Sequence, residues 1–558
     1  MAKYAIGLDY GTLSGRAVLV DVENGAVIAQ HTKLYEHGVM EKCLPDGTPL
    51  PGDWALEHPQ DYLDVLEETI PAVMAESGVS ADDVISIGVD FTASTVIPVD
   101  ETGTPLCFKS EFSSNPHAWV KLWKHHGALE QADRMTRIAK ERGEEFIAWY
   151  GGKVNAECGV PKFLETLEKA PEVYAQTDCF MESGDWIVRI LTGEKTRSES
   201  IAGYKAIWRK TEGPLTADYL KAVSPQAEHL VEEKLGGRMV PLGGLAGRLT
   251  AEMARKLGLN TGIAVTAANI DAHVAVPSLG ISGPDKAMMV LGTSACIITC
   301  SEKKAFVPGI FGMTEDGVLP GLYGYEGGQS CVGDMFDWFV KNCVPESYEI
   351  EARERDMNIH QLLTEKASKL KIGESGLIAL DWWNGNRSCL SDTELTGLML
   401  GMTLSTKPEE MYRALIESAA YGMRIIMDNF EENGIATKEF YVCGGIAKKN
   451  PMLMQIYADV LGREMFISAS NQGPAVGAAI WSTLAAGSAA GGYDTIAEAA
   501  AHMGHVEPET YKPVPENVAA YERLYAEFKI LHDYFGRGAN DVMKRLKKIK
   551  AVQSSKDK

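Results

Sequence analysis

Residues 4–21, YAIGLDYGTLSGRAVLVD, carry a clear pattern of strands and turns. Their two apolar runs have the composition of β-strands, and the small residues between them predict a tight turn. Asn24-Gly25 then predicts a second hairpin turn before another apolar run. The predicted strands are 4–9, 16–20 and 26–30. The stretch therefore predicts a three-stranded meander with Asp9 at the end of its first strand.

The second half of the chain repeats the first part of this pattern. Residues 286–291 and 295–300 have the composition of two strands, and Gly292-Thr293-Ser294 joins them. A Gly-Thr turn alone is more often simply a turn. Turns of small residues also let main-chain N–H groups approach phosphate oxygens without a Cβ in the way. Two such turns, one in each half, predict an internal duplication and a shared phosphate site.

The remaining patterns predict mixed α/β domains with three-layer packing. The predicted helices are 58–76, 408–432, 450–461 and 516–534, and the further strands are 84–90, 263–270, 439–443 and 465–468. A chain of 558 residues exceeds the roughly 250–300 residues at which one hydrophobic core stops growing. We therefore expect two domains, 1–275 and 276–540, with a ligand cleft between them and a polar basic tail at 541–558 that is ordered only in part.

Charge and cysteine usage limit the classes of function. A net charge of −22 opposes non-specific binding to nucleic acid or to an anionic membrane. The ten cysteines form no CxxC pair, so we expect buried thiols in a reducing compartment. We find neither a secretory signal pattern nor an apolar run of about 18 residues, and we expect a cytoplasmic protein.

Two carboxylates are the candidate chemical groups of the first half. The chain has neither GxxxxGK[ST] nor a GxGxxG after its first strand. Asp9 lies beside the first turn, where it can hold a hydrated magnesium ion or simply accept hydrogen bonds in the turn. Asp271 follows an apolar strand and is a candidate general base or a helix N-cap. Arg16 can neutralise phosphate or lie on the surface, and we expect His273 to be structural.

A second glycine pair follows the predicted strand 439–443. Gly444-Gly445 can let a nucleotide lie flat on the main chain, with Asn450 near the purine or ribose. The alternative is a plain tight turn.

Taken together, these motifs resemble those of the FGGY carbohydrate kinases, whose actin-like ATPase fold has two ribonuclease H-like domains. The resemblance spans nearly the whole chain. It rests on Gly7-Leu8-Asp9-Tyr10-Gly11-Thr12, Gly159-Val160-Pro161-Lys162, Gly184-Asp185-Trp186, Leu191-Thr192-Gly193, Leu291-Gly292-Thr293-Ser294, Gly444-Gly445, Asn450, Gln455, Ala458-Asp459, Gly462 and Pro474-Ala475-Val476-Gly477-Ala478-Ala479.

The resemblance implies roles for individual residues, with ATP and Mg²⁺ as cofactors. It implies that Asp271 is the catalytic base and that Asp9 and Asp271 hold the metal, the latter through water. The implied ATP-binding residues are Gly11, Thr12, Ser14, Arg16, Gly292, Thr293, Gly333, Asp337, Gly444, Gly445 and Asn450. Relatives often carry an amide at the position of Asp337.

The sugar-facing segments indicate a branch within the family. Ala93-Ser94 and Ala272 stand where glycerol kinases carry glycerol-binding side chains. Four segments instead resemble the branch that phosphorylates the 5-hydroxyl of L-ribulose in L-arabinose catabolism: 89–94, 203–205, 269–273 and 325–329. In that branch Ala93, Lys205, Asp271 and Glu326 would bind the sugar.

Three alternatives differ in class or substrate. An actin-like chaperone or filament ATPase would not need the sugar-facing residues. A catalytically silent sugar sensor would lose Asp9 or Asp271, and both are present. A kinase for xylulose or another ketopentose or polyol is the third alternative. We expect a homodimer that binds neither nucleic acid nor membrane.

Overall fold

The computed structural model describes residues 2–554, and its first half is organised around a seven-stranded sheet. Strand Tyr4–Tyr10 forms an antiparallel hairpin with Ser14–Asp21 and pairs in parallel with Val84–Phe91 on its other side. The strands lie in the order Leu245–Arg248, Ala264–Thr266, Val84–Phe91, Tyr4–Tyr10, Ser14–Asp21 and Val27–Leu34, and Asn269–Ile270 also pairs with Val84–Phe91. The predicted meander is confirmed, and it places the end of its first strand at the centre of the sheet.

The second half repeats this arrangement in another seven-stranded sheet. Strand Lys286–Leu291 forms an antiparallel hairpin with Ala295–Ser301 and pairs in parallel with Glu439–Cys443. The strand order is Gly312–Glu315, Tyr323–Gln329, Ala295–Ser301, Lys286–Leu291, Glu439–Cys443, Met465–Ser468 and Val506–Tyr511. Both hairpins thus lie beside a parallel strand, which is the duplication that the two Gly-Thr turns predicted.

Helices cover these sheets, and smaller sheets lie beside them. The helices of eight or more residues are Pro59–Ser77, Leu129–Arg142, Gly159–Lys169, Ser183–Thr192, Gly333–Cys343, Glu346–Glu354, Ile359–Ala367, Pro408–Glu432, Pro451–Leu461, Gly473–Ala486, Ile496–Met503, Pro515–Gly536 and Val542–Ser554. The smaller sheets contain Leu56–Glu57, Val120–Lys121, Val96–Val99 and Cys179–Glu182, then Thr196–Ser198 with Arg238–Val240, and Ile378–Leu380 with Leu398–Leu400.

Helix Gly473–Ala486 returns from the second half to pack on the first sheet. Two strand glycines permit this close approach. A Cβ on Gly7 would lie 1.8 Å from the carbonyl oxygen of Ala475, and a Cβ on Gly88 would lie 1.9 Å from that of Ala478. This helix therefore completes the core of the first half, and Gln472 at its start accepts a hydrogen bond from Arg16, just past the turn at Gly11-Thr12.

Several local features differ from the sequence-based predictions. The strand predicted at 263–270 is two short strands, Ala264–Thr266 and Asn269–Ile270. Cys43 is exposed, so the prediction of buried thiols is wrong at that position.

The basic tail forms helix Val542–Ser554 up to the end of the described chain. Among residues 2–554, no helix is both long and apolar enough to cross a membrane.

Candidate active site

Three carboxylates meet at one edge of the first sheet. Asp9 and Asp90 are register partners on parallel strands, and Asn269 is the partner of Asp90 on the next strand. Asp271 follows two residues after Asn269, as the first residue of the short helix Asp271–Val274. Its N-cap is Ile270, so Asp271 is not the N-cap that the alternative interpretation required. Parallel pairing thus brings residues far apart in sequence to the same edge.

Burial raises the pKa of all three carboxylates, and the charges of neighbouring carboxylates add to the rise at Asp90 and Asp271. Burial raises the pKa of Asp9, and the charge of Arg16 offsets part of this effect. Burial, together with the charges of Asp9 and Asp271, raises the pKa of Asp90 well above its usual value. Removal from water and the charge of Asp9 raise the pKa of Asp271 to about 7. A cation between these groups would relieve their repulsion.

The carboxylate edge fits a magnesium ion held partly by water and phosphate. Both carboxylate oxygens of Asp90 are buried and have no hydrogen-bond partner in the described part of the chain. Within the same residues, no group of three His, Cys, Asp or Glu side chains is arranged to hold a metal ion by itself. Magnesium usually takes one or two carboxylates and completes its octahedron with water and substrate phosphates.

The turn at residues 11–13, called the first phosphate turn after its predicted role, adjoins this edge. The Gly11 N–H donates to the Ser14 carbonyl at 3.0 Å, which closes the turn. The Thr12 hydroxyl accepts a hydrogen bond from the Trp123 indole at 3.1 Å. The Arg16 Nε lies 3.3 Å from Asp9 Oδ2, and its Nη1 donates to the Gln472 side chain at 3.2 Å. Arg16 is therefore at the carboxylate edge rather than free on the surface.

The second phosphate turn, residues 292–294, is fixed to the start of helix Gly333–Cys343. The Gly292 N–H donates to the Ser294 carbonyl at 2.9 Å. The Gly333 N–H donates to the Gly292 carbonyl at 3.0 Å, and the Val332 N–H donates to the Thr293 carbonyl at 2.8 Å. Only one non-adjacent atom, 4.0 Å away, lies near the position of a Cβ on Gly292, so the turn presents open main chain.

Gly444 and Gly445 lie beside that turn because Val290 and Cys443 are register partners. Gly444 has φ 108°, and a Cβ there would lie 2.2 Å from the Leu291 carbonyl oxygen. A Cβ on Gly445 would meet no atom within 4 Å. The fold thus requires glycine at 444. Gly445 instead leaves its main chain uncovered, as a flat surface at the edge of the second sheet.

Two other predicted nucleotide residues have structural contacts. The Asn450 side chain accepts from the Leu453 N–H at 3.0 Å, capping helix Pro451–Leu461, and donates to Thr364 at 3.3 Å. Asp337 is exposed and lies 3.3 Å from the His360 ring. The structure therefore gives Asn450 a capping role beside Gly444-Gly445 and leaves the Asp337 carboxylate at the surface.

A buried charged cluster joins the two halves beside Asp271. Glu326, on strand Tyr323–Gln329, lies 3.4 Å from the Lys205 ammonium and 3.2 Å from the His273 ring. Its other oxygen accepts from Arg387 at 2.7 Å. Burial alone would raise the pKa of Glu326, but the charges of Lys205 and Arg387 and the His273 hydrogen bond hold it well below its usual range.

An aromatic ring completes this cluster. The Lys205 ammonium lies 3.9 Å from the centre of the Phe311 ring, and the Arg387 guanidinium lies 4.9 Å from it. The ring's negative face stabilises both cations. The cluster therefore offers several fixed donors and acceptors of the kind that bind sugar hydroxyls.

The sequence interpretation missed two members of this site. Arg387 belongs to an irregular segment after strand Ile378–Leu380, and the tripeptide Asn386-Arg387-Ser388 resembles only a glycosylation sequon. Asp90 was visible as the carboxylate that ends a buried strand, but its pairing with Asp9 depends on sheet register. His273 was expected to be structural, and its ring lies against Glu326.

The fold and the site define a carbohydrate kinase. Residues 4–277 match the N-terminal domain, and residues 287–486 the C-terminal domain, of the FGGY family of carbohydrate kinases. The chain belongs to this family, whose members transfer a phosphoryl group from ATP to a small-molecule sugar or related compound.

Curated relatives at 45–55% identity carry one name. The ribulokinase of Halalkalibacterium halodurans is 55% identical over 99% of this chain and 98% of that protein. The ribulokinase of Bacillus licheniformis is 54% identical over 97% of this chain and 98% of its own length. The ribulokinase of Mycolicibacterium smegmatis is 45% identical over 98% and 97% of the two chains.

Solved structures share the fold at lower identity. The xylulose kinase from Rhodospirillum rubrum superimposes with a TM-score of 0.77 at 24% identity, covering 95% of this chain and 98% of that one. A ligand-bound xylulose kinase from Lactobacillus acidophilus gives a TM-score of 0.78 at 18% identity, covering 96% and 99%. The two-domain α/β kinase fold expected from the sequence is confirmed.

Proposed function

We propose that this chain catalyses the ATP-dependent phosphorylation of the 5-hydroxyl of L-ribulose, giving L-ribulose 5-phosphate and ADP. The observation that carries the proposal is the cluster of Lys205, His273, Glu326 and Arg387, which adjoins Asp271 and bridges the two halves. Ribulokinases at 54–55% identity over nearly the full length support this substrate.

Asp271 is the proposed general base. It adjoins the cluster and the carboxylate edge, and its raised pKa suits a group that takes up a proton near neutral pH. In this proposal Asp271 accepts the proton of the terminal sugar hydroxyl, which makes that oxygen a better nucleophile. The hydrogen bond from the Ala272 N–H to Asp271 Oδ1, at 2.8 Å, orients the carboxylate.

The two glycine turns and the glycine floor are the proposed nucleotide site. The Gly11 and Gly292 N–H groups close their own turns, so the main-chain N–H groups of residues 12–13 and 293–294 are the proposed phosphate donors, and Gly444-Gly445 lies beside the second turn. Asp9, with Asp271 through water, is the proposed metal site, and Arg16 adds positive charge. When bound, ATP would supply the phosphoryl group, and magnesium would offset the negative charge of the phosphates.

The sugar is held by polar groups from both halves in this proposal. Lys205 donates to one hydroxyl, Glu326 accepts from another, and the main chain at Ala93 adds a contact. Glu326 stays ionised because Lys205 and Arg387 neutralise it, so it acts as an acceptor. Such a site rejects a sugar that leaves its buried groups unpaired.

ADP release, measured across a panel of acceptors, tests the substrate. We expect L-ribulose to give the highest kcat/KM, with D-ribulose, xylulose, aldopentoses, glycerol and a sugar-free reaction as comparisons. A clear preference for xylulose or glycerol would contradict the proposal and favour another FGGY kinase specificity. ATP hydrolysis that does not respond to any sugar would favour an actin-like ATPase.

The expected homodimer, the cytoplasmic location and the domain division near residue 275 remain predictions. Light scattering would test the dimer, cell fractionation the location, and limited proteolysis the division. The packing of helix Gly473–Ala486 on the first sheet predicts that a fragment ending near residue 275 alone exposes that face.

A further inference from the structure

Lys162 is a fully buried lysine whose ammonium group donates to three main-chain carbonyls. It lies in helix Gly159–Lys169. Its ammonium donates to the carbonyl of Ser94 at 2.6 Å, to that of Leu122 at 2.8 Å and to that of Trp123 at 3.4 Å. An ammonium has three N–H donors, so these three carbonyls use all of them.

The first carbonyl belongs to the sugar turn, residues 92–95, which contains Ala93. Ser94 is buried and has φ 73°, a left-handed conformation that is costly for a residue with a Cβ. Its N–H donates to Glu182 at 2.8 Å and its hydroxyl donates to the Glu157 carbonyl. With Lys162 on its carbonyl, every polar group of Ser94 is held by another segment.

The other two carbonyls belong to the loop that carries Trp123. The Trp123 indole donates to Thr12 in the first phosphate turn at 3.1 Å. Lys162 therefore contacts one segment that faces the sugar and another that contacts the phosphate turn. One side chain thus links the proposed sugar and phosphate segments through main-chain hydrogen bonds.

We propose that Lys162 is a positioning residue that fixes the sugar turn relative to the first phosphate turn. The inference rests on the proposed sugar-kinase function, because it assigns the turn at Ala93 to the acceptor. Lys162 itself does not touch the reacting atoms. Its loss would let Ser94 relax from its left-handed conformation and shift the sugar hydroxyl away from the line of transfer.

Lys121 provides a matched control. It is also a buried lysine beside helix Gly159–Lys169, and it donates to the Lys162 carbonyl at 3.1 Å, to Glu165 at 2.6 Å and to Thr166 at 2.8 Å. None of these acceptors lies in the sugar turn or in the Trp123 loop. Lys121→Met therefore removes a buried ammonium that bonds the same helix, while the carbonyls of Ser94, Leu122 and Trp123 keep their hydrogen bonds from Lys162.

The test compares Lys162→Met, Lys162→Arg and Lys121→Met in the full chain. We expect Lys162→Met to raise the KM for L-ribulose by about tenfold or more and to lower kcat by a similar factor. Its Kd for a non-hydrolysable ATP analogue should change by less than about threefold, and Lys162→Arg should recover part of the loss. Lys121→Met should lower the thermal midpoint at least as much while leaving the sugar KM within about twofold.

Two results would overturn the inference: an unchanged sugar KM in Lys162→Met, or an equal rise of that KM in Lys121→Met. If Lys162→Met does not fold, Lys162→Gln takes its place, because a shorter neutral amide cannot reproduce the three bonds of the ammonium, and an unchanged sugar KM in that variant contradicts the inference. The proposed function is tested separately: it is wrong if the wild-type protein phosphorylates no ketopentose. The three variants would then be compared with whichever acceptor the wild type does phosphorylate.

Discussion

Asp9 and Asp90 stand at the same level of two neighbouring parallel strands, so the hydrogen-bond register of the sheet holds the two carboxylates together. Neither can move away without breaking the ladder between Tyr4–Tyr10 and Val84–Phe91. Arg16 neutralises only one side of the pair, at Asp9. A divalent cation at this edge would offset the repulsion that raises the pKa of Asp90 and would favour its ionised form.

Asp9→Asn should weaken magnesium binding. The substitution keeps the shape of the side chain and removes one of the charges that attract the ion. We expect the Mg²⁺ concentration for half-maximal activity, at fixed ATP, to rise by about tenfold or more. The sugar KM at saturating Mg²⁺ should change little, and an unaltered Mg²⁺ titration would remove Asp9 from the metal site.

Asp271→Ala should abolish sugar phosphorylation while the nucleotide still binds. Loss of a general base costs about 10²–10⁴-fold in kcat. The nucleotide turns do not depend on this side chain, so ADP affinity measured by calorimetry should stay near that of the wild type. Near-normal turnover in this variant would refute the assignment of the base.

Gly444→Ala and Gly445→Ala should separate folding from nucleotide binding. An alanine at 444 meets the Leu291 carbonyl oxygen at 2.2 Å and must adopt φ near 108°, so we expect a loss of about 1–3 kcal/mol or more of stability. An alanine at 445 meets no atom within 4 Å. Gly445→Ala should therefore fold normally and bind ATP more weakly, and unchanged ATP affinity would exclude it from the nucleotide floor.

The fold could be predicted in large part because its main signals are local. The meander at 4–30 and the hairpin around Gly292-Thr293 depend on apolar runs and turn residues that are contiguous in sequence. The strand predicted at 263–270 broke into two because an apolar run does not indicate where pairing with Val84–Phe91 is interrupted. Helix Gly473–Ala486 was not among the predicted helices, and apolar content alone does not indicate which sheet a helix covers.

The candidate site could be predicted only where a residue adjoins a recognisable turn. Asp9, Asp271 and the Gly-Thr turns lie next to strands with clear patterns. Arg387 does not, because its segment is irregular and its partner Glu326 lies about 60 residues earlier, on strand Tyr323–Gln329. Lys162 was visible in Gly159-Val160-Pro161-Lys162, but its acceptors come from separate loops. Contacts between distant segments carry no periodic signal.

Arg387→Gln should impair sugar binding more than nucleotide binding. The change leaves Glu326 with one cation fewer and removes a donor from the cluster around Phe311. We expect the KM for the sugar to rise by about tenfold, since charge-assisted hydrogen bonds contribute about 1.5–3 kcal/mol. Arg209→Gln is a matched control, because Arg209 is buried and pairs with Glu212 outside the cluster. An equal rise of the sugar KM in both variants would contradict the prediction.

Glu165→Gln should lower stability in a pH-dependent way. Glu165 lies 2.6 Å from the Lys121 ammonium and 3.0 Å from the His125 ring, and all three side chains are buried. Burial by itself would raise the pKa of Glu165, but the Lys121 charge and the His125 hydrogen bond hold it well below its usual value of 4.5. The folded state therefore releases this proton more readily than the unfolded state does. The stabilising contribution is present above about pH 4.5 and is lost as the pH falls toward the folded-state pKa.

Removing one partner of a buried ion pair costs about 3–5 kcal/mol, so Glu165→Gln should be destabilised by that order at pH 7. Denaturant unfolding at pH 7 and near pH 3.5 gives the free energy of unfolding of the wild type and of the variant. The gap is the difference between these two free energies at each pH. The gap between the two proteins should narrow at the lower pH, because the wild-type carboxylate then loses its advantage over the amide. A gap that stays constant or widens as the pH falls would mean that Glu165 is not held ionised by Lys121 and His125.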